Sequence, residues 1–266
     1  MIYREILNDH DNIMLQSDIN ALHQWCDVWS MTLNTNKCKS MRVSRQSHET
    51  RNYFLNQAQL DTVSSYKYLG VHITFNLSWK THVQYITSNA NRMLGYLRRN
   101  FSLAPVSLKL ILYKTLVRPK LEYAASVWDP GQATLITALE GIHNRFARFI
   151  LSNYHYSSSV TSIKSTLSLP PLSLRRKLSR LSLFHKFYFY NSVLRDKLIN
   201  DPFYISARHD HQHKVEVPVA ITSTFHSSFL PRTSLDWNHL PGPIASITDT
   251  VLFRSALTNH FAVECE

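Results

Sequence analysis

The first part of the chain carries apolar residues at helical spacing. Five of them follow one another at intervals of four, three, four and three residues: Leu15, Ile19, Leu22, Cys26 and Trp29. The residues from Asp9 to Asp11 offer side-chain oxygens that can cap the amino terminus of a helix. We therefore expect one amphipathic helix that begins at these residues and ends near Ser30.

The spacing then changes to the alternation that is typical of strands. Met41 and Val43 alternate with polar residues, as in a half-buried strand. Farther on, Leu69, Val71 and Ile73 would share one face of a second strand. A small antiparallel sheet packed next to the first helix is the simplest arrangement of these segments.

Helical spacing returns at Trp79 and continues through the middle of the chain. The first apolar stripe of this part comprises Trp79, His82, Ile86, Ala90, Met93 and Leu97. The next predicted helix runs from Pro105 to about Pro119 and carries Leu108, Ile111, Leu112, Thr115 and Leu116. Further helical patterns cover residues 120–128, 133–151, 159–168 and 172–192.

After residue 200 the pattern becomes irregular, and a last short helix is predicted at about 249–262. These patterns predict an α+β fold that is mainly α, in which a small antiparallel sheet is followed by a helical bundle. We expect three parts: a sheet-containing domain at 1–77, a helical domain at 78–200, and an irregular segment with a terminal helix at 201–266.

The charge of the chain favours a polyanionic partner. It has 29 Lys and Arg against 18 Asp and Glu, a formal net charge of +11, which attracts nucleic acid first and an anionic membrane surface second. No stretch approaches the roughly 18 apolar residues of a membrane span, so we expect no membrane partner. The cysteines Cys26, Cys38 and Cys265 form no CxxC pair, and no signal peptide is present. We expect an intracellular protein, cytoplasmic or nuclear.

Several motifs follow one another along the chain in a specific order. They are Trp25 and Trp29 before Met31–Met41, then Tyr66–Val71, Leu77–His82, Arg118–Trp128, Ser228–Thr233 and Asp236–Pro241. In this order they resemble the carboxy-terminal part of the reverse transcriptases of LINE-type (non-LTR) retrotransposons. The resemblance implies that residues 1–77 are a remnant of the palm, residues 78–200 the thumb, and the rest the carboxy-terminal segment.

The resemblance also implies where the catalytic chemistry belongs. Polymerases of this family use carboxylates that hold two Mg²⁺ ions, and the resemblance implies an Ala-Asp-Asp turn immediately before Ile2–Glu5. We therefore expect no catalytic residue and no cofactor in this chain, which would be truncated after that motif, and no polymerisation by the isolated chain. Magnesium would belong to the upstream reverse transcriptase segment, which would then be a partner. Asp9 and Asp11 are explained by helix capping.

Candidate contacts to an RNA/DNA template–primer duplex fall into three groups. Lys37 matches a family lysine that approaches the incoming nucleotide, and Tyr68, Leu69 and Gly70 match the turn that grips the primer. Two predicted helices are basic and would contact phosphates without reading sequence: one carries Lys80, Arg92, Arg98 and Arg99, and the other Arg175, Arg176, Lys177 and Arg180. For Lys37 and for the first of these helices, the alternative is a solvated basic surface, and Gly70 alternatively marks a bulge in an edge strand.

Other patterns leave their alternatives open. His209, His211 and His213 would share one face of an extended segment and could hold zinc, although no cysteine pair accompanies them and the resemblance implies no metal. The aromatic residues from Phe184 to Tyr190 could stack on bases, but packing in the core is the more frequent role.

Three functional interpretations follow. The chain is a binding remnant of a reverse transcriptase, or an incomplete record of an active RNA-directed DNA polymerase, or a decayed helical protein without a selected activity. Because the first segment would normally pack on the rest of a palm, we also expect residues 1–77 to expose apolar surface at Trp25, Trp29 and Val71 and to be poorly soluble.

Overall fold

The computed structural model describes residues 1–44, 51–206, 208 and 210–263, and the side chains of these residues except 262 and 263. The chain forms two compact units, an amino-terminal unit at Met1–Thr81 and a carboxy-terminal unit at His82–Glu266. As expected, the fold is mainly α with small sheets. None of the described helices is both long enough and apolar enough to cross a membrane.

The amino-terminal unit begins with helix α1, Asp9–Val28. Its N-cap is Asn8, one residue before the predicted range: the Asn8 side chain accepts a hydrogen bond from the Asp11 amide, and the Asp11 carboxylate accepts one from the Asn8 amide. This reciprocal pair is a capping box. On the predicted apolar face only Cys26 is fully buried, whereas Trp29 is 64% exposed.

Three two-stranded sheets follow α1 among the described residues. Strands β1 (Lys39–Ser40) and β4 (Asp61–Thr62) are parallel, whereas the other two pairs are antiparallel: β2 (Phe54–Leu55) with β3 (Ala58–Gln59), and β5 (Ser65–Tyr68) with β6 (Val71–Thr74). The prediction of one small antiparallel sheet is therefore wrong, because the described strands form three separate pairs and one of these pairs is parallel. Strand β1 also ends before Met41 and Val43, the residues that predicted it.

The predicted strand with Leu69, Val71 and Ile73 on one face is wrong. Leu69 and Gly70 have φ angles of 45° and 87°, and they form the two-residue turn between β5 and β6, which reverses the chain. Leu69 is exposed at this turn, whereas Val71 is buried in β6, contrary to the expectation that Val71 lies on exposed apolar surface.

Twelve further helices are described from residue 80 onward. They are α2 (Lys80–Asn100), α3 (Val106–Leu112), α4 (Arg118–Glu122), α5 (Ala125–Trp128), α6 (Ala133–Ile150), α7 (Val160–Thr166), α8 (Leu172–Tyr190), α9 (Ser192–Leu198), α10 (Ser223–His226), α11 (Phe229–Asn238), α12 (Gly242–Ala245) and α13 (Thr250–Val263). A π-helical turn, Tyr113–Val117, joins α3 to α4. Most predicted helices therefore lie close to observed ones. The single helix predicted at 120–128 is wrong, because the chain breaks between α4 and α5, where Ala124 has a φ angle of 52°. The segment predicted to be irregular also contains α10, α11 and α12.

The core of the carboxy-terminal unit follows the predicted stripe of α2 but not that of α3. His82, Ile86, Ala90 and Leu97 are buried as predicted. In α3 and the following turn, however, the predicted apolar residues Leu108, Ile111 and Leu116 are exposed, and the buried residues are Lys109, Tyr113 and Val117. The Tyr113 hydroxyl hydrogen-bonds His143 Nδ1 at 2.5 Å and its ring packs on Phe146, and these contacts fix which face is buried.

A second cluster of buried side chains surrounds Trp237 of α11. It joins α8, α11 and α13 through Leu181, Phe184, Val215, Trp237, Leu240, Ala245, Phe253, Leu257 and Phe261. Pro231 lies in the first turn of α11, where a helix amide has no partner within the helix, so the proline does not interrupt it. The segment around Trp237 is therefore a packed helix.

Candidate nucleic-acid interface

Helix α2 presents exposed cations outside its buried stripe: Arg92 lies opposite the stripe, and Arg98 and Arg99 lie at its borders. Arg92, Arg98 and Arg99 are exposed, and we call these three residues the basic face of α2. Arg92 and Arg99 are seven residues apart, which corresponds to about 10 Å along the helix axis. That distance is close to three nucleotide steps of about 3.4 Å along one strand of a duplex. The face can therefore contact several phosphates of one strand.

The basic face of α2 has no acidic partner in the part of the chain that the structure describes. The ion pairs there include none to Arg92, Arg98 or Arg99. Arg92 donates a hydrogen bond to the neutral amide oxygen of Asn89, and Arg98 lies 5.5 Å from the centre of the Tyr154 ring. The positive charge of this surface is consequently not neutralised by nearby carboxylates.

Aromatic residues flank these cations on α2. Tyr96 is exposed and lies one turn after Arg92 and one turn before Arg99, and Tyr85 is exposed two turns before Arg92. Lys80, the remaining cation predicted on this helix, is exposed in its first turn.

In the amino-terminal unit, the predicted primer turn and Lys37 lie in one small substructure. Tyr68, Leu69 and Gly70 form the end of the β5–β6 hairpin, and Tyr68 and Leu69 are exposed. The Tyr66 hydroxyl donates a hydrogen bond to the Lys37 carbonyl at 2.9 Å, while the Lys37 side chain is exposed. The structure thus connects two motifs that are separated in sequence.

The four predicted cations of α8 have a different environment. Leu172, Arg176, Arg180 and Phe184 recur every four residues and are all buried, so two arginines belong to the inward side of the helix. Arg176 and Arg180 are 1% and 2% exposed. This burial removes both guanidinium groups from any contact with a nucleic acid on the surface of the folded chain, so we assign them a structural role.

Asp129 is the carboxylate that neutralises these buried arginines. It accepts hydrogen bonds from Arg176 Nε at 2.6 Å and Arg180 Nε at 2.9 Å, and Arg232 Nη1 lies 3.2 Å from it. Arg180 also pairs with Asp236 at 3.0 Å. We call these five residues the Asp129 network. It connects the end of α5 to α8 and α11.

The other two predicted cations of α8, Arg175 and Lys177, are also paired, although they are only half-buried. Both carboxylate oxygens of Glu122 accept from Arg175, and this hydrogen bonding raises the pKa of the Arg175 guanidinium. Lys177 lies 3.4 Å from Asp236 and over the Phe261 ring at 4.3 Å. The basic stretch of α8 therefore holds helices together, in contrast to the basic face of α2.

The segment with Arg232 and Trp237 also makes contacts that hold distant parts of the chain together. Arg232 Nη1 lies within 3.4 Å of the carbonyl oxygens of Asp129 and Pro130, and burial lowers the pKa of its guanidinium. The Trp237 indole donates to the His213 carbonyl at 2.7 Å. These contacts give the tail motif a structural explanation that its sequence alone does not provide.

The histidine pattern is only partly described. His209 lies outside the described residues. The His211 ring hydrogen-bonds the Trp237 carbonyl at 3.0 Å, and the His213 ring packs edge-on against Tyr188. Most of the predicted aromatic residues of α8 pack inside the fold, since Phe184 is fully buried and only Tyr190 is largely exposed.

Comparison with curated proteins finds relatives among the polymerases of mobile elements. The RNA-directed DNA polymerase from mobile element jockey of Drosophila funebris is 24% identical over 163 residues, 59% of this chain and 18% of that protein. Its counterpart in Drosophila melanogaster matches to the same extent. This chain is a homologue of LINE-type reverse transcriptases. A third relative, the probable RNA-directed DNA polymerase from transposon X-element of D. melanogaster, is 21% identical over 178 residues, 66% of this chain.

The reverse transcriptase homology covers a limited part of the relatives. The matched segment is 18% of the length of each of these three proteins. No family model matches the chain, and no solved structure matches it significantly. The LINE-type relationship therefore rests on the three polymerases and agrees with the motifs in the sequence.

Sequence reasoning missed the partners of the α8 arginines. Asp129 and Glu122 lie 47 and 53 residues before Arg176 and Arg175, so no local pattern links them. A signal was nevertheless present, because Arg176 and Arg180 fall at the same four-residue spacing as Leu172 and Phe184. Arginines on an apolar stripe require a buried carboxylate elsewhere in the fold.

Proposed function

We propose that this homologue of LINE-type reverse transcriptases holds an RNA/DNA template–primer duplex through its phosphates and supplies positioning without polymerisation chemistry. The basic face of α2 carries the proposal, because its three arginines are exposed and have no carboxylate partner among the described residues. Cations in this state release counterions from a duplex when they contact its phosphates. Such contacts fix the register of the duplex but read no sequence.

The β5–β6 hairpin of the amino-terminal unit and the nearby Lys37 are proposed to contact the primer and the incoming nucleotide. By the family resemblance, Lys37 approaches the incoming nucleotide and the turn at Leu69 and Gly70 approaches the primer. The exposed Lys37 ammonium and Gly70 support this role, because a cation can meet a phosphate and a glycine without a side chain lets a strand approach the backbone. These groups position reactants, and positioning alone lowers the barrier of a bimolecular step.

Polymerisation would require catalytic aspartates from an upstream reverse transcriptase segment. The 266 residues contain no Ala-Asp-Asp sequence. In polymerases of this kind the carboxylates of that motif hold Mg²⁺ for the attack of the primer hydroxyl. We expect no nucleotide incorporation when this chain is incubated with a template–primer, nucleotides and Mg²⁺, and any templated extension would refute this part of the proposal.

The binding part is tested with a labelled RNA/DNA duplex in fluorescence anisotropy at several salt concentrations. Arg92→Gln/Arg99→Gln should weaken binding and reduce the slope of log affinity against log salt by about 1.8, or 0.9 for each lost phosphate contact. Lys120→Gln/Arg145→Gln is the matched control, because it removes two exposed cations elsewhere on the carboxy-terminal unit. Equal losses in both variants would show attraction to net charge alone and contradict the assigned surface.

A further inference from the structure

A shallow groove lies between α8 and α13, away from the groups that the proposed function uses. It consists of two adjoining openings of about 460 Å³ and 510 Å³, and both are lined by Lys186 and Thr250. The two openings adjoin at these two residues, and we call them together the α8–α13 groove.

One half of the groove is basic and rich in hydroxyl and amide groups. Lys186 and Arg254 line it and are exposed, and the ion pairs found among the described residues include neither. The Ser182 hydroxyl, which lines the same half, is buried and has no hydrogen-bond partner among the described residues. This half therefore offers two exposed cations to an anionic ligand.

Asp249, at the amino-terminal end of α13, already accepts backbone hydrogen bonds. The Asp249 carboxylate accepts hydrogen bonds from the amides of Val251 and Leu252, both at 2.8 Å, and so caps α13. The amino-terminal amides of α13 are consequently not an anion site. The attraction for an anion comes from the side chains of Lys186 and Arg254.

The other half of the groove presents aromatic rings. Tyr190 is 61% exposed, and its orientation is fixed because its hydroxyl donates to the Thr248 carbonyl at 2.9 Å. Phe187 lies beside it and packs edge-on against Phe229. Lys186 and Tyr190 are four residues apart in α8, so they share one side of the helix at about 6 Å along its axis.

We propose that the α8–α13 groove binds single-stranded nucleic acid, with phosphates at Lys186 and Arg254 and a base stacked on Tyr190. Cations next to an exposed ring of fixed orientation suit an unpaired strand, because every base has a face that can stack while its backbone stays charged. An acidic protein segment would use the cations but not the ring. The inference rests on the proposed function and adds a separate site for an unpaired strand of the same substrate.

The test uses the full chain and a fluorescein-labelled oligo(dT) strand of about 10 nucleotides, within the usual site size of single-strand binders. Lys186→Gln/Arg254→Gln should weaken binding and reduce the salt slope by about 1.4, or 0.7 for each contact to a single strand. Lys120→Gln/Arg145→Gln removes the same charge from exposed positions outside both proposed sites and should leave the slope for oligo(dT) close to that of the wild type. All four substituted residues are exposed, so the variants should retain the thermal stability of the wild type.

The stacking contact has its own pair of variants. Tyr190→Leu should lower the affinity for oligo(dT) about tenfold, within the range measured for loss of one stacked base. Tyr190→Phe removes the hydroxyl that bonds Thr248 but keeps the ring, and it should bind nearly as well as the wild type. Equal losses in both variants would show that the hydroxyl, and not stacking, is responsible.

The outcomes separate the groove from the proposed function. If the duplex depends on Arg92 and Arg99 but oligo(dT) binding is unchanged in Lys186→Gln/Arg254→Gln, the groove inference is overturned and the proposed function stands. If oligo(dT) depends on the groove but the duplex does not depend on α2, the assigned duplex surface fails instead. Binding of a polyglutamate peptide through Lys186 and Arg254, without binding of oligo(dT), would identify a protein partner and overturn the inference.

Discussion

Substitution of Asp129 by Asn should strongly destabilise the carboxy-terminal unit. Asp129 is 5% exposed and is in contact with three guanidinium groups, those of Arg176, Arg180 and Arg232. The Asp129 network contains three arginines and two carboxylates, so Asn at 129 leaves three cations with Asp236 alone. The amide of Asn would also direct N–H donors at groups that can only donate.

The expected loss follows from the burial of these charges. Removal of one partner from a buried ion pair costs about 3–5 kcal/mol, because the remaining charge has neither water nor a counterion. Asp236→Asn is the matched control, since Asp236 pairs with Arg180 as well but its side chain is 22% exposed. We expect it to cost about 1 kcal/mol, as for a solvent-screened pair.

Urea denaturation followed by circular dichroism measures both variants. The midpoint should fall in proportion to the loss in free energy of unfolding, with little change in the denaturant slope. If Asp129→Asn is no less stable than Asp236→Asn, the network does not connect α5, α8 and α11 in the way described. A wild-type midpoint for both variants would lead to the same conclusion.

Three further predictions concern acid stability, a buried lysine and exposed tryptophans. Burial, assisted by the charge of Lys164, lowers the pKa of His143 from 6.5 to about 4. Between these two pH values the imidazole of His143 stays neutral in the folded protein, whereas it binds a proton in the unfolded protein. Stability should therefore fall by up to about 3 kcal/mol as pH decreases from 6.5 to 4, and His143→Gln should make urea midpoints less dependent on pH; an unchanged dependence would contradict this. Lys109 is buried against Ser152 and the Phe149 ring. Lys109→Met keeps the apolar side-chain volume and should unfold at an equal or higher urea concentration than the wild type, whereas Lys109→Ala should unfold at a lower one. Equal losses of stability in both variants would show that the ammonium group itself stabilises the fold. Trp25 and Trp29 are 52% and 64% exposed, so Trp25→Ser/Trp29→Ser should reduce concentration-dependent self-association in size-exclusion chromatography; a wild type that elutes as a monomer at every concentration would refute this.

Long amphipathic helices were predictable from spacing alone. The pattern at 133–151 corresponds to α6 at Ala133–Ile150, and the pattern at 172–192 corresponds to α8 at Leu172–Tyr190. Such helices repeat the apolar spacing over several turns, which makes the signal strong. Strands of two residues, such as β1 and β4, are too short for any alternation to identify them.

The choice of the buried face and the pairing of charges could not be predicted locally. Apolar residues occur on two sides of α3, and the contact of Tyr113 with His143, 30 residues later, decides which side is buried. In the same way, the basic residues of α8 suggested a phosphate-binding surface until distant carboxylates were found beside them. The exposed cations of α2 keep the role that the sequence suggested as a prediction, because nothing in the described fold neutralises them.

The central claim is tested most directly by the affinity of the wild-type chain for an RNA/DNA duplex as a function of salt. With contacts from Arg92, Arg98 and Arg99, the account predicts a slope of log affinity against log salt of about −2.7 or steeper. The slope should be the same for duplexes of unrelated sequence, because phosphate contacts carry no sequence information. A slope near zero, or strong preference for one sequence, would contradict the account.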